Sequence, residues 1–278
     1  MYLVTGATGN VGSEVVRALR AGGYPVRAVL RDARAAAGLP AGTEHVIGDL
    51  DDAATLVPAV EGVQGIFLLP GYTGNAELLA AAVGAEVPRL VQLSGGSAGS
   101  RDLTNAVTAM MAQAEDLATA SGLSWTILRP ASFMSNTFRW LPQLRAGDEL
   151  RLPFAHVPTA VIDPADIGAA AAAALTSDEH AGRTYTLSGP ESLTPADQIA
   201  ILAEELARPL SVIALTDEET YADYLTQMPK AYADAFMDFY SRGSLDESAV
   251  LSTVTDLTGR APANYRDWIR AHKADLEA

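Results

Sequence analysis

The sequence predicts an α/β protein in which a doubly wound parallel sheet carries a smaller, mainly helical C-terminal lobe. Short apolar runs alternate with helical patterns over the first half of the chain, and a glycine-rich turn joins the first run to the first helical pattern. The alternation stops after Arg129-Pro130. Strands that alternate with helices at this spacing form right-handed βαβ units, which together make a Rossmann-type core.

The apolar runs have the length and composition of buried strands. They are Tyr2–Val4, Pro25–Leu30, His45–Ile47, Gly65–Leu69, Arg89–Leu93, Trp125–Leu128 and Thr184–Leu187. The segments between them have the apolar spacing of helices that pack on a sheet. These helices are expected at Val11–Ala21, Ala53–Val60 (capped by Asp51 or Asp52), Asn75–Val83, Thr104–Ala120 and Asp163–Leu175.

The chain beyond Pro130 is rich in aromatic, polar and turn residues. We assign residues 1–150 to the nucleotide-binding core, with residues 159–188 returning to it, and residues 131–158 and 189–278 to a smaller substrate lobe. The lobe is expected to contain helices at Ser192–Arg208, Asp217–Phe239 and Asp246–Thr258 and a strand at Leu210–Ala214. The aromatic and methionine side chains within Tyr221–Tyr240 are expected to form lobe core or a partner surface.

Charge and composition argue against several classes of function. The 278-residue chain has a formal net charge of −15, which repels phosphate backbones and disfavours nucleic-acid binding. It has no cysteine, and its four histidines lack metal-ligand spacing, so neither a disulfide nor a metal is expected. No apolar run is long enough to span a membrane, and no basic leader follows Met1. We therefore expect a cytoplasmic monomer or homodimer without a membrane partner.

The strongest functional signal is a glycine motif between the first strand and the first helix. Gly6 permits a tight turn, Gly9 lets a pyrophosphate approach the backbone, and Gly12 lets the helix pack closely on the strand. The N–H groups at the start of the helix then face the phosphates. The motif predicts a dinucleotide site made by Gly6, Thr8, Gly9, Asn10 and Val11.

The spacing is GxxGxxG, and with Thr5 in front it resembles the NmrA-like group of atypical short-chain dehydrogenase/reductases. This group includes type-2 quinone oxidoreductases, isoflavone-reductase-like enzymes and non-catalytic redox sensors. Further segments match the group's pattern in order: Val26–Asp32, Gly48–Leu50, Ser121–Pro130, Val161–Gly168 and Leu187–Thr194. The resemblance spans nearly the whole chain and implies an NAD(P)-binding oxidoreductase.

The end of the second strand selects the dinucleotide. Arg31 stands where the resemblance implies a partner for the 2′-phosphate, so NADP(H) is favoured over NAD(H). Asp32 complicates this assignment, because its carboxylate can neutralise Arg31 or reach the ribose. Asp49 matches the family residue that lies near the adenine. The remaining residues expected to contact the cofactor lie at or beyond later strand ends: Leu68, Leu69, Pro70, Ser94, Pro130, Ser132 and Phe133.

The usual proton relay of short-chain reductases is missing. In those enzymes a Tyr-x-x-x-Lys pair follows the fifth strand, whereas this chain has Val107 and Met111 there. Three functions fit this pattern. The first is reduction by hydride transfer of a quinone or an activated enone or carbonyl compound, which needs mainly orientation. The second is a biosynthetic tailoring or cyclisation step. The third is a non-catalytic redox sensor that binds a protein partner.

The segment after the sixth strand is expected to wall the substrate site. Phe133, Met134 and Trp140 supply apolar contacts for a quinone, enone or aromatic substrate, and Asn136 can orient a carbonyl. Tyr72, after the fourth strand, can donate its hydroxyl to the same carbonyl. Ser94 occupies the serine position of reductases. Tyr72, Asn136 and Ser94 are therefore the candidate catalytic residues.

Overall fold

The computed structural model describes residues 1–277. Its main sheet has seven parallel strands in the order β3-β2-β1-β4-β5-β6-β8, and β7 pairs with β9 in a second sheet. The strands are β1 Tyr2–Val4, β2 Val26–Leu30, β3 Glu44–Ile47, β4 Gly65–Leu68, β5 Arg89–Leu93, β6 Ser124–Pro130, β7 Glu149–Leu152, β8 Arg183–Leu187 and β9 Ser211–Ala214. The strand order reverses between β1 and β4, which confirms the predicted doubly wound Rossmann-type fold.

Helices flank both faces of the main sheet and continue into the C-terminal part. They are α1 Gly12–Ala21, α2 Asn75–Gly84, α3 Ala106–Ala120, α4 Leu141–Ala146, α5 Pro164–Thr176, α6 Pro195–Leu206, α7 Asp217–Gln227, α8 Lys230–Tyr240, α9 Thr253–Thr258, α10 Tyr265–Ala271 and α11 Lys273–Glu277. Within residues 1–277, no helix is both long and apolar enough to cross a membrane.

The two faces of the sheet bury separate apolar clusters, because successive strand residues point to opposite sides. Val4 packs with α1 and α5 on one face, and Leu3 packs with α2 and the end of α3 on the other. The α1–α5 crossing depends on Gly168, where an added Cβ would lie 2.6 Å from the backbone carbon of Glu14. This packing fixes α1 against the sheet, so the start of α1 stays at the carboxyl end of β1.

The small lobe, which we define as β7, β9, α4, α6 and α10, has a third apolar cluster. Leu150 and Leu152 of β7 point into it, together with Trp268 of α10. A buried hydrogen bond of 2.6 Å joins the hydroxyls of Thr137 and Tyr265. The segment that leaves β6 is thereby anchored to the small lobe.

Several sequence-based assignments of secondary structure are wrong. The helix expected at Asp217–Phe239 is two helices, because Pro229 breaks the chain between α7 and α8. The helix expected at Asp246–Thr258 is helical only from Thr253, and residues 244–251 run as irregular backbone. The helix expected at Ala53–Val60 is two short 3-10 turns, the first capped by Asp52. The strand β7 was not predicted.

Candidate cofactor site and acceptor cleft

The glycine loop has the close packing that its sequence predicts. Gly6 has a φ of +60°, which favours glycine, and a Cβ there would overlap the side chain of Leu69. A Cβ at Gly12 would overlap the carbonyl oxygen of Gly6. The Gly9 N–H donates to that same oxygen over 2.9 Å. The loop is therefore a compact turn that leaves no room for side chains at two of its three glycines.

Thr5 ties the loop to the neighbouring strand. Its buried hydroxyl donates to the carbonyl of Phe67 over 3.0 Å and accepts from the N–H of Leu69 over 3.0 Å. Both partners belong to the end of β4, which lies beside β1. The hydroxyl thus fixes the loop at the point where the strand order reverses, where nucleotides bind in open parallel sheets.

The start of α1 has free donors for an anion. Its cap residue Val11 provides no side-chain hydrogen bond, whereas the start of α5 is capped by the carboxylate of Asp163. Among the described residues, no acceptor bonds the N–H groups of Asn10, Val11 or Gly12. Such unsatisfied donors, together with the helix dipole, form an anion site. The Val11 side chain is buried, so this residue can contribute only its N–H.

Arg31 is the free cation at the end of β2. It is exposed, and no carboxylate within residues 1–277 pairs with it. Asp32 instead accepts from the guanidinium of Arg34 at distances down to 2.5 Å, and this hydrogen bonding lowers the pKa of Asp32. The sequence left open whether Asp32 neutralises Arg31, and in the structure it does not. Arg31 is therefore available to a phosphate.

The other residues expected to contact the cofactor differ in how they can do so. Asp49 is exposed, and its carboxylate accepts from the N–H of Asp51 over 3.0 Å in a local turn. Leu68 is fully buried, so only its backbone can face a ligand. Leu69 and Pro70 are partly exposed beside Gly6. Pro130 is buried at the end of β6, and Ser132 and Phe133 lead from it into a cleft.

A cleft of about 560 Å³ opens where the segment after β6 meets α7 and α8. Of the predicted substrate residues, Phe133, Asn136 and Trp140 line it, with Ser132 beside them. The amide of Asn136 donates to the Ser132 hydroxyl over 3.0 Å, which orients both groups. Met134 is a correction: it is fully buried in the cluster of the small lobe and cannot touch a substrate.

Tyr72 and Ser94 do not line this cleft. Tyr72 packs, partly buried, against the apolar cluster beneath α2. Ser94 is buried, and its hydroxyl donates to the carboxylate of Glu115 over 2.6 Å. The guanidinium of Arg129 donates two hydrogen bonds, of 2.8 and 2.6 Å, to the same carboxylate. Ser94 is therefore part of an ion-pair network that joins β5, α3 and β6, and the structure gives it no contact with the acceptor cleft.

The helix α3 places Met110 and Met111 close to the loops that follow β4 and β5. A Cβ at Gly71 would lie 2.8 Å from the sulfur of Met110, and a Cβ at Gly95 would lie 3.8 Å from the terminal carbon of Met111. These glycines follow β4 and β5 at the carboxyl edge of the sheet. The part of α3 that lies against these two glycines is thus apolar, whereas Glu115, further along the helix, bonds to Ser94.

Another group of cleft residues is aromatic: Phe154, and three side chains of the stretch Tyr221–Tyr240, which the sequence analysis assigned to lobe core or a partner surface. Phe154 and Tyr240 lie with ring centroids 5.3 Å apart, and Phe236 stacks on Tyr240 at 6.4 Å. Tyr224 lies 6.2 Å from Phe154, and burial raises its pKa to about 12. All four line the cleft. The helical spacing of aromatics in α7 and α8 was the available signal, but it does not separate cleft wall from core.

The region also contains Glu247, a charged residue that the sequence analysis did not identify. Glu247 lies in the irregular segment 244–251, and a Cβ at Gly96 would be 3.2 Å from its carboxylate oxygen. The backbone N–H of Ser132 and the hydroxyl of Tyr240 also face the carboxylate. Burial raises the pKa of Glu247 to about 7, and these two donors lower it by less. A half-buried carboxyl therefore stands near the carboxyl end of β5, next to the cleft-lining Tyr240.

Comparison with known proteins identifies the family. The pattern of a family described as NAD(P)H-binding matches residues 6–178, more than half of the chain, beginning at the first glycine of the loop. This chain belongs to the NAD(P)H-binding family. The prediction of an NAD(P)-binding core is thereby confirmed.

Two curated relatives match the chain over nearly its whole length. It is 37% identical over 276 residues to a (4-alkanoyl-5-oxo-2,5-dihydrofuran-3-yl)methyl phosphate reductase from Streptomyces griseus subsp. griseus, with 98% of both chains covered. It is 33% identical over 286 residues to an NAD(P)H azoreductase from Xenophilus azovorans, with 100% of both covered. The predicted membership of the NmrA-like, atypical short-chain reductases is confirmed, as is the class of NAD(P)H-dependent reductase.

Solved structures share the fold. An NADPH-dependent quinone oxidoreductase from Escherichia coli, in complex with NADPH, superposes with a TM-score of 0.81 at 23% identity, over 98% of this chain and 99% of that one. The Citrobacter sp. triphenylmethane reductase gives 0.78 at 21% identity, over 97% and 99%. At this identity the likeness is one of architecture.

Proposed function

We propose that this protein uses NADPH to reduce a flat, electron-poor small molecule such as a quinone, an azo compound or an activated enone. One observation carries the proposal. An anion-binding loop and an aromatic cleft open at the same carboxyl edge of one parallel sheet, so that a dinucleotide on the first lies beside an acceptor in the second.

The choice of NADPH over NADH rests on Arg31. Its guanidinium is exposed at the end of β2 and has no carboxylate partner within the described chain, because Asp32 is held by Arg34. A guanidinium binds a phosphate through two charge-assisted hydrogen bonds. The 2′-phosphate of NADPH supplies such a group, and the ribose of NADH does not.

The acceptor class rests on the cleft walls. The cleft is lined by several aromatic side chains, which favours flat rings. They are Phe133, Trp140, Phe154, Phe236 and Tyr240. The curated relatives are named for an alkanoyl furanone phosphate and for azo compounds, both of which contain conjugated, electron-poor bonds. These names support a conjugated acceptor, and a quinone, an azo compound and an activated enone all belong to that class.

Arg139 adds a preference for an anionic substituent. It lines the cleft, is exposed, and forms no ion pair among the described residues, whereas Arg151 in the same lining is paired with Glu219. A free guanidinium stands out on a chain whose net charge is −15. Acceptors that carry a carboxylate, sulfonate or phosphate are therefore expected to bind better than neutral analogues.

The protein's own part in the reaction is mainly positional. When bound, reduced nicotinamide supplies a hydride to the acceptor. The glycine loop and the first turn of α1 hold the diphosphate, and Arg31 holds the 2′-phosphate. Asn136, oriented by Ser132, holds a polar atom of the acceptor. The apolar surface of Met110 and Met111 excludes water from the strand ends.

Turnover tests this proposal. Purified protein is mixed with NADPH, then with NADH, and the nicotinamide absorbance is followed as benzoquinone or the azo dye methyl red is added. We expect NADPH to be oxidised with both acceptors and NADH to be used less well. Tight binding of NADPH without oxidation by any acceptor would overturn the proposal and favour the redox sensor or a non-redox tailoring enzyme.

A further inference from the structure

The irregular segment 244–251 is fixed over the carboxyl end of β5. The N–H of Ala160 donates to the carbonyl of Glu247 over 2.7 Å, and the N–H of Leu251 donates to the hydroxyl of Ser188 over 2.8 Å. The Leu245 N–H bonds back to the carbonyl of Phe239 at the end of α8. These bonds hold an otherwise unstructured stretch in one place, and they position the Glu247 side chain against Gly96.

The Glu247 carboxylate lies next to Tyr240, a residue of the cleft wall. The hydroxyl of Tyr240 faces the carboxylate, and Tyr240 is itself a cleft-lining residue. Glu247 keeps partial contact with solvent, so it can exchange protons with water.

We infer that Tyr240 is the proton donor to the reduced acceptor and that Glu247 restores its proton, so that the pair replaces the missing Tyr-x-x-x-Lys relay. This inference rests on the proposed reductase function. Tyr240 is the catalytic residue of the pair, because it lines the cleft in which the acceptor is proposed to bind. Glu247 acts through Tyr240 and is a positioning and relay residue.

The proton balance of the step is complete. Hydride addition to an azo bond leaves a negative charge on the second nitrogen, and addition to an enone leaves it on oxygen. The O–H bond of Tyr240 breaks as a bond forms between that proton and the anionic atom. The Glu247 carboxyl gives its proton to the Tyr240 oxygen in the same movement and later takes another from water.

The charges around the pair explain why both members are needed. Burial raises the pKa of Tyr240, and Glu247 and Tyr224 raise it further, while Arg139 lowers it by a smaller amount. A phenolate is therefore costly here, and Tyr240 alone is a poor acid at neutral pH. With its pKa near 7, Glu247 is protonated on the acidic side of neutrality. It can therefore transfer a proton to the Tyr240 oxygen while Tyr240 gives its own proton to the acceptor.

The inference predicts an effect that depends on the acceptor. Hydride transfer to a quinone leaves a hydroquinone monoanion, which the new aromatic ring stabilises and which needs little help from an acid, whereas the azo anion must be protonated. We expect Tyr240→Phe and Glu247→Gln to lower kcat for methyl red by roughly 100-fold or more, with a change of less than about tenfold for benzoquinone. Tyr221→Phe and Glu218→Gln, on α7 and outside the cleft lining, are the matched controls.

The pH profile and an infrared titration complete the test. With methyl red, kcat should be constant below pH 7 and should fall as the pH rises through about 7, because Glu247 then loses its proton. The carboxyl C=O band that disappears in Glu247→Gln should titrate at the same pH, which requires no turnover. Equal losses for both acceptors, or a Glu247 band that titrates at an ordinary glutamate pKa, would overturn the inference. Failure of the wild type on both acceptors would overturn the proposed function while leaving the infrared result readable.

Discussion

The glycine loop and the acceptor cleft are built in different ways. The loop is one contiguous stretch in which backbone geometry makes the site: Gly6 and Gly12 leave no room for a Cβ, and α1 starts without a side-chain cap. The cleft is made by side chains that come from five separate stretches of the chain, including the segment after β6 and both α7 and α8. A site made by backbone tolerates few substitutions, whereas a site made by distant side chains can change its substrate while the fold persists.

The largest effect should follow Gly12→Ala. The added Cβ would overlap the Gly6 carbonyl, so the loop and the first turn of α1 must separate. We expect NADPH affinity to fall by more than about 100-fold and stability by about 1–3 kcal/mol. Calorimetric binding and thermal unfolding measure the two effects.

Gly84→Ala is the matched control for that change. Gly84 ends α2 and has open space around its missing Cβ, so alanine there should be neutral or stabilise the helix by about 0.5–1 kcal/mol. If Gly12→Ala bound NADPH as tightly as Gly84→Ala, the close packing would have no part in the cofactor site.

Arg31→Ala should have the next largest effect, because one side chain carries the preference for the phosphate. Loss of a charge-assisted contact costs about 1.5–3 kcal/mol, which is roughly 10- to 100-fold in the Kd for NADPH. The Kd for NADH should not change. Arg145→Ala, an exposed arginine on α4, is the control. A parallel loss of NADH affinity would mean that Arg31 stabilises the loop and does not read the 2′-phosphate.

Met134 and Trp140 separate core from cleft within a single short segment. Met134→Ala should lower stability by about 2–5 kcal/mol, because its side chain is fully buried, with KM for the acceptor unchanged. Trp140→Leu should raise that KM by roughly tenfold, because the loss of a stacking surface weakens acceptor binding. Chemical denaturation and steady-state kinetics with benzoquinone distinguish them, and the reverse pattern would contradict the placement of Met134 in the core.

Arg139→Ala should have the smallest effect, since its side chain is exposed and solvent screens its charge. We expect a few-fold higher KM for methyl red, which carries a carboxylate, and no change for neutral benzoquinone. The difference should shrink as salt is added. An equal rise for both acceptors would assign Arg139 a packing role.

The same contrast explains how much could be predicted from the sequence. The doubly wound sheet and the loop at Gly6–Gly12 were predictable, because apolar periodicity and glycine spacing are local signals. The break between α7 and α8 has a local signal too, because Pro229 cannot continue a helix. The course of residues 244–251 was not predictable, because it depends on hydrogen bonds from Ala160 and Ser188, which are distant in the chain.

The residues of the candidate site also differ in whether local sequence could predict them. Phe133, Asn136 and Trp140 line the cleft because they follow the end of β6 directly, and their contact with a substrate stays a prediction. Met134 points the other way, since the chain turns there in a short 3-10 helix and the side chains alternate between cleft and core. Tyr240 and Glu247 were missed, because only the tertiary structure brings α8 and the segment after it to the end of β5.

Rapid mixing of the NADPH-bound protein with methyl red, in a single turnover, tests the central claim most directly. The account predicts that the bound nicotinamide is oxidised as the dye is bleached, at a rate that saturates with dye concentration. It also predicts that Arg31→Ala, loaded with enough NADPH to compensate for its weaker binding, reacts at the same saturated rate. Bound NADPH that persists unchanged while the dye keeps its colour would contradict the claim that this protein is a reductase of such acceptors.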